Sequence, residues 1–229
     1  MSFLRLEPQP EMVRMGQNDN ELVRVRAVGL NFRDVLNALG EYPGDPGPPG
    51  GDMAGSVVEV SRASDHSTDD GVFGVAHASL ASIARASTQL LSLKPATLTF
   101  EESSTLPVAW STGHSVCEHA RPGAGESVII HALAGGVGLK ALEYVLWMNG
   151  LVMGSAGVPH KHVQLRSMGG VWVCSSRNGG AFGMGTSRLM DGCRTSMCVN
   201  SLGADFLVAS LASIREGGTF EEIGKRAAW

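Results

Sequence analysis

One octapeptide restricts the fold of this chain more than any other feature. Residues 131–138 read His-Ala-Leu-Ala-Gly-Gly-Val-Gly. They follow a short apolar run, Ser127–His131, and open a stretch with helical spacing, Gly136–Met148, whose apolar positions are Val137, Ala141, Tyr144, Val145 and Met148. A strand that turns through glycines into a helix is the opening of a βαβ unit. Gly135 lets the backbone approach a diphosphate with no Cβ in the way, and Gly138 permits close helix packing. The unpaired N–H groups and the positive end of the helix dipole then face an anion. The competing reading is a purely structural strand-to-helix turn.

The segments around this turn favour the dinucleotide reading. Helical spacing runs over Glu101–Glu118, broken at Pro107. After the turn, strands are expected at Leu151–Met153, Val171–Cys174, Met197–Val199 and Thr219–Ile223. Helices are expected at His160–Met168, Ala181–Met190 and Asp205–Ile214. Alternating βα units of this length imply a parallel sheet covered on both faces. Ser127–His131 and its successors supply five strands, one short of a full dinucleotide-binding sheet. Gly179, Gly180, Gly183 and Gly185 weaken the second of these helices, by about 1 kcal/mol each.

The preceding residues have another character. Leu22–Val28 alternates apolar and polar side chains, the period of a half-buried strand. A short helix is expected at Asn31–Leu39, and further strands at Ser56–Val60 and Val72–Ala76. Tyr42–Gly51 holds four prolines and four glycines and must be a loop. The 30 glycines show no three-residue period, so they mark turns and close approaches. The chain thus reads as an α/β protein with a β-rich part over residues 1–105 and a dinucleotide-binding part over 106–229.

Composition excludes several classes. The net charge of −4 and the lack of a basic run with interleaved aromatics argue against nucleic acid. Apolar runs such as Val145–Met148 are too short for a membrane span, and the first residues lack a signal-peptide core. A cytoplasmic setting is expected. Cys117, Cys174, Cys193 and Cys198 form no Cys-x-x-Cys pair, so no metal site and no disulfide framework is expected.

The strand after the glycine turn bears on the cofactor. An NAD enzyme usually ends it with an acid that holds the ribose 2′-hydroxyl. Here it reads Leu-Val-Met-Gly-Ser-Ala-Gly, with Ser155 in it and Lys161, flanked by His160 and His162, six residues on. A hydroxyl and an ammonium suit a 2′-phosphate, which favours NADPH over NADH. The alternative for Lys161 is a solvated helix charge.

Several segments together resemble the enoyl reductase domain of type I polyketide and fatty acid synthases, a zinc-independent branch of the medium-chain dehydrogenase/reductases. These are Val-Gly-Leu-Asn-Phe-Arg-Asp-Val-Leu (28–36), Leu-Gly-Glu-Tyr-Pro-Gly (39–44) and Ser-Thr-Leu-Pro-Val-Ala-Trp (104–110). The glycine turn, Cys-Ser-Ser-Arg (174–177), Val-Asn-Ser-Leu (199–202) and Phe-Glu-Glu-Ile-Gly-Lys-Arg (220–226) follow in the family's order. The resemblance implies a GroES-like substrate domain and a Rossmann domain, here lacking its last strand, with a cleft between them. It implies NADPH-dependent reduction of a trans-2-enoyl thioester carried on an acyl carrier protein, with neighbouring synthase domains and a homodimeric synthase as partners.

The same resemblance assigns residues. Asn31 and Thr112 meet the nicotinamide side. Gly135, Gly136, Val137 and Gly138 hold the pyrophosphate. Ser155 and Lys161 face the 2′-phosphate, Arg177 helps on the adenosine side, and Asn200 and Ser201 end the fourth strand, where ligands collect. Lys225 matches a proton donor or enolate-polarising lysine, and Tyr42 a tyrosine that in some members sets α-carbon stereochemistry. The developing thioester oxyanion gives a cation or phenol that role. Each has a plainer alternative: Asn31 as a helix N-cap, Lys225 as a surface charge beside Arg226, Tyr42 as part of a proline-rich loop. Arg33 and Asp34 are expected to pair with each other.

Three departures stand out. Leu133 is bulky for the turn and either crowds the pyrophosphate or points aside. Ser196 replaces the family's usual aspartate near the fourth strand. The family also continues past this length, so weak turnover or none is expected from this chain alone. A stand-alone quinone or enone reductase and a non-catalytic structural domain are the rival functions.

Overall fold

A computed structural model describes residues 19–62, 64–169 and 171–224. The chain divides into two compact units, Met1–Val108 and Ala109–Trp229.

In the first unit five strands form one sheet: β1 (Asn20–Gly29), β2 (Asp52–Glu59), β3 (Gly71–Val75), β4 (Ile83–Ser87) and β5 (Leu91–Leu93). Their order is β4-β1-β2-β3-β5, and every pairing is antiparallel. The alternation in β1 works as expected: Val23 is fully buried while Arg24 and Arg26 are exposed. Val23 packs with Met53, Val57, Val72 and Leu91. Glu21 breaks the pattern, being buried where a charge is costly; His66 Nδ1 lies 3.0 Å from its carboxylate. Helix α1 (Phe32–Leu39) starts one residue after Asn31 and ends at Gly40, whose φ of 70° suits a glycine C-cap. Helix α2 (Phe100–Ser104) is held by a Thr99–Glu102 capping box. Pro107 then opens helix α3 (Pro107–Ala120), so the break expected there is real. β4 and β5 were not expected. Ile-Ala-Arg-Ala-Ser and Leu-Ser-Leu are too short and too weakly β-forming to stand out.

In the second unit β6 (Ser127–Ile130), β7 (Leu151–Ala156), β8 (Val171–Ser175), β9 (Thr195–Asn200) and β10 (Ile214–Glu222) form a parallel sheet of order β10-β9-β6-β7-β8. Between them run α4 (Gly136–Trp147), α5 (Pro159–Ser167), α6 (Gly179–Met190) and α7 (Ala204–Ser213). Successive side chains point to opposite faces, so each strand feeds two cores. Val128 and Ile130 join Leu142, Val145, Leu165, Met197 and Val199 on one face. Ile129 joins Met153, Phe182, Cys198 and Phe206 on the other. The strand order reverses between β6 and β9, which places the glycine turn at the switch point where such sheets collect ligands.

Helix α6 forms despite its glycines, two residues earlier than expected. Those glycines make a close contact possible. A Cβ at Gly179 would lie 2.2 Å from the Asp205 carbonyl oxygen, and one at Gly183 would lie 3.3 Å from Ala209 Cβ. Packing against α7 outweighs the weak local propensity.

Candidate cofactor site

The turn from β6 into α4 is held from several sides. His131 N–H donates to Val199 C=O at 2.9 Å, Leu133 N–H to Ser155 C=O at 2.9 Å, and Gly135 N–H to Ala132 C=O at 2.8 Å. Ala132 has a φ of 48°, a left-handed conformation that costs a non-glycine residue about 1–2 kcal/mol. The helix's own ladder begins with Leu139 N–H to Gly135 C=O at 2.9 Å. The N–H groups of Gly136, Val137 and Gly138 precede that bond, in the first turn where donors are left for a ligand. Gly135 and Gly136 are exposed. Gly138 is buried, and a Cβ there would lie 2.7 Å from Leu133 Cα and from the Ala132 oxygen. Its lack of a side chain therefore shapes the turn itself.

Leu133 points aside. It is fully buried and leans over Gly154, where a Cβ would lie 2.1 Å from Leu133 Cδ2. The bulk unusual for the turn is absorbed by a glycine in the neighbouring strand, and the exposed glycines stay clear.

Ser155 has no exposed surface. Its Oγ lies 3.1 Å from His131 Nδ1 and accepts Ala132 N–H at 3.2 Å. The hydroxyl expected to face a 2′-phosphate is thus committed beneath the turn. β7 is buried on both faces there, so a strand-end position did not bring exposure. His131 Nε2 lies 2.8 Å from Ser210 Oγ, and Phe182 and Phe206 flank the ring at 4.8 and 5.5 Å. Burial pushes the imidazole pKa down to about 4, so the ring is neutral near pH 7. Cys198, beside Ser210, has its thiol pushed up to about 12 by burial.

Past the end of β7, a pocket of about 400 Å³ is lined by Gly157, Val158, Pro159, His162, Val163, Arg166 and Ser175. Arg177 Nε donates to Gly157 C=O at 3.3 Å, with its guanidinium over that glycine. Lys161 is exposed in the first turn of α5. Arg166 escaped the sequence reading. It sits four residues after His162, on the same helix face, and that spacing was the available signal.

Asn200 is almost fully buried at the end of β9, donating to Glu222 Oε2 at 2.6 Å and Leu202 C=O at 3.2 Å. Its amide serves the strand end. Ser201 is half-buried and donates to His131 C=O at 3.4 Å. Thr112 is half-buried in α3, next to Gly113, where a Cβ would lie 3.2 Å from Lys140 Cβ on α4.

In the first unit, Asn31 precedes α1, and its N–H donates to Asp34 Oδ2 at 2.9 Å. Its amide Nδ2 donates to Asp52 Oδ2 at 3.1 Å, while Asp52 Oδ1 accepts Val108 N–H at 3.0 Å. Burial is the largest influence on Asp52 and raises its pKa to about 6. Sequence reasoning missed Asp52, a single acid in a glycine-rich run. Arg33 and Asp34 do not pair with each other. Arg33 donates to the carbonyls of Pro46 and Pro48, and Asp34 Oδ1 accepts Gly50 N–H. Both side chains thereby fasten the proline-rich loop to α1. Tyr42 is half-buried in that loop. Lys225 lies outside the described residues.

Among the described residues no group of three His, Cys, Asp or Glu side chains converges as a metal site would require. No helix among them is long and apolar enough to cross a membrane.

Comparison with known proteins agrees with this geometry. Residues 17–91 match the alcohol dehydrogenase GroES-like domain. The spectinabilin polyketide synthase system protein NorB of Streptomyces orinoci is 36% identical over 97% of this chain, which spans 10% of that protein. The solved CurK enoyl reductase is 32% identical with a TM-score of 0.84, covering 92% of this chain and 67% of its own. Mycobacterial Rv1454c, solved in complex with NADPH, has the same fold at 24% identity and a TM-score of 0.84, over 96% of this chain and 69% of that one. A GroES-like unit joined to a five-stranded parallel sheet with a glycine turn at its switch point is the architecture of a medium-chain reductase. The chain belongs to the enoyl reductase family found in polyketide synthases, and so to the oxidoreductases.

Proposed function

We propose that this chain binds NADPH and serves the reduction of a trans-2-enoyl thioester, carried on an acyl carrier protein within a cytoplasmic polyketide synthase. The observation that carries the reading is Leu133 packed over Gly154, with Gly135 and Gly136 left exposed at the start of α4. The residues fit a dinucleotide, because the exposed Gly135 and Gly136 put no Cβ between the backbone and a diphosphate. The N–H groups of Gly136, Val137 and Gly138 would hold the diphosphate. Lys161, Arg166 and Arg177 would neutralise the 2′-phosphate in place of Ser155. When bound, NADPH supplies a hydride to the β-carbon of the substrate.

The remaining roles belong to side chains. Asp52 holds the Asn31 amide in one orientation at the start of α1. Thr112 and Ser201 would meet the nicotinamide half. Lys225 would stabilise the thioester enolate or give its proton to the α-carbon, and Tyr42 would set the face of protonation.

Calorimetric titration with NADPH and NADH tests the first half of this proposal. NADPH is expected to bind at least tenfold more tightly than NADH. No heat with either nucleotide would overturn the reading. With a crotonyl thioester and a quinone offered in turn, preferential oxidation of NADPH by the thioester is expected, and preference for the quinone would replace the substrate class.

A further inference from the structure

We infer that His131 and Ser155 are positioning residues which fix the glycine turn in its phosphate-binding shape through one directed relay of hydrogen bonds. The inference rests on the proposed NADPH site and deepens it. The direction of the relay follows from what each atom can do. Ser210 Oγ lies 2.7 Å from Phe206 C=O, and a carbonyl only accepts, so the Ser210 proton points there. Ser210 Oγ, 2.8 Å from the ring, must then accept from His131, which places the ring proton on Nε2. The bare Nδ1 accepts the Ser155 O–H at 3.1 Å. Ser155 Oγ, with its proton committed, accepts Ala132 N–H at 3.2 Å.

Every polar atom of this chain of contacts is satisfied in one tautomer only. An imidazolium would present a proton at Nδ1, and the Ser155 hydroxyl would have to swing away. The anchored atom is the N–H of Ala132, the residue held at a φ of 48°. Three residues later Gly135 N–H returns to Ala132 C=O at 2.8 Å, so the peptide fixed by the relay sets where the exposed glycines stand. The relay touches no ligand atom. It acts by keeping a strained turn in one conformation before the cofactor arrives.

Two histidine substitutions separate the arms. An asparagine oxygen can stand in for Nδ1, and a glutamine nitrogen can stand in for Nε2. NADPH dissociation constants are measured calorimetrically for the whole chain, with thermal midpoints alongside, for S155A, H131Q, H131N and T186V. Thr186 is a buried hydroxyl on α6 that donates within its own helix, to Phe182 and Gly183 C=O. S155A and H131Q are expected to weaken NADPH about tenfold. H131N is expected to stay within about threefold of the parent although it also loses packing. T186V is expected to lower the midpoint without changing the affinity. Equal affinity in all variants, or losses that track the midpoint in T186V and H131N as well, would overturn the relay. If S155A does not fold, the H131N and H131Q pair still decides. A parent chain that fails to bind NADPH overturns the proposed function instead.

Discussion

The two units each bury one titratable side chain beside a candidate site, and burial moves the two in opposite senses. Asp52 in the antiparallel unit is raised to about 6, while His131 in the parallel unit is lowered to about 4. In both cases burial disfavours charge. The acid is served by donors alone, the Asn31 amide and Val108 N–H, which suit a carboxylate and partly offset its burial. The imidazole sits between two hydroxyls that suit only its neutral form. One unit therefore ties distant segments to a buried acid. The other excludes charge from beneath its glycine turn.

The largest effect expected from breaking this contrast is steric and falls on the parallel unit. G154V places side-chain atoms where Leu133 stands and should cost about 2–4 kcal/mol in urea denaturation. Adding L133A should restore much of that loss. An unchanged midpoint in G154V would mean that Leu133 has another place to go.

The pH dependence sharpens the comparison further. For His131 the folded value lies below the ordinary 6.5, so its contribution is present above pH 6.5 and lost as pH falls through about 4. For Asp52 the folded value lies above the ordinary 3.8, so its contribution is present below pH 3.8 and lost as pH rises through about 6. Each amounts to about 3 kcal/mol, and between pH 4 and 6 they oppose one another. D52N should leave a stability that climbs with pH across this window, and H131N one that declines. Denaturation curves at pH 4.5 and 6.5 check both, and parallel behaviour of the two variants would refute the contrast.

A smaller effect concerns cofactor choice. R166A and R177A should each weaken NADPH by about 1 kcal/mol and leave NADH unchanged, as competition titrations would register. Equal losses for both nucleotides would place these arginines away from the 2′-phosphate. The smallest effect belongs to the exposed Arg121–Glu118 pair, where R121A should shift stability by less than about 0.5 kcal/mol.

Much of this was legible in the residues because it follows from periodicity. The βα alternation, the Pro107 break and the glycine turn depend on local spacing. What failed depended on depth. Ser155 stands near the end of a strand in the sequence, but β7 is flanked by β6 and β8 and covered on both faces, so its hydroxyl turns inward. Whether Leu133 crowds the turn could be decided only by Gly154, a partner across the sheet. Asp52 matters through Val108, 56 positions away, and no local pattern carries that contact. β4 and β5 exist because neighbouring strands recruit them, a tertiary effect that short polar-apolar runs do not advertise.

The glycine contact of α6 has a further consequence for how the gene can vary. Gly179 and Gly183 share a stripe one turn apart, and α7 rests on it. Adding or deleting a single codon inside α6 would turn everything beyond it by about 100° and swing bulky side chains such as Met184 toward the neighbouring helix. Such indels should be purged from α6 far more strictly than from α5, which is anchored by the single fully buried side chain of Leu165.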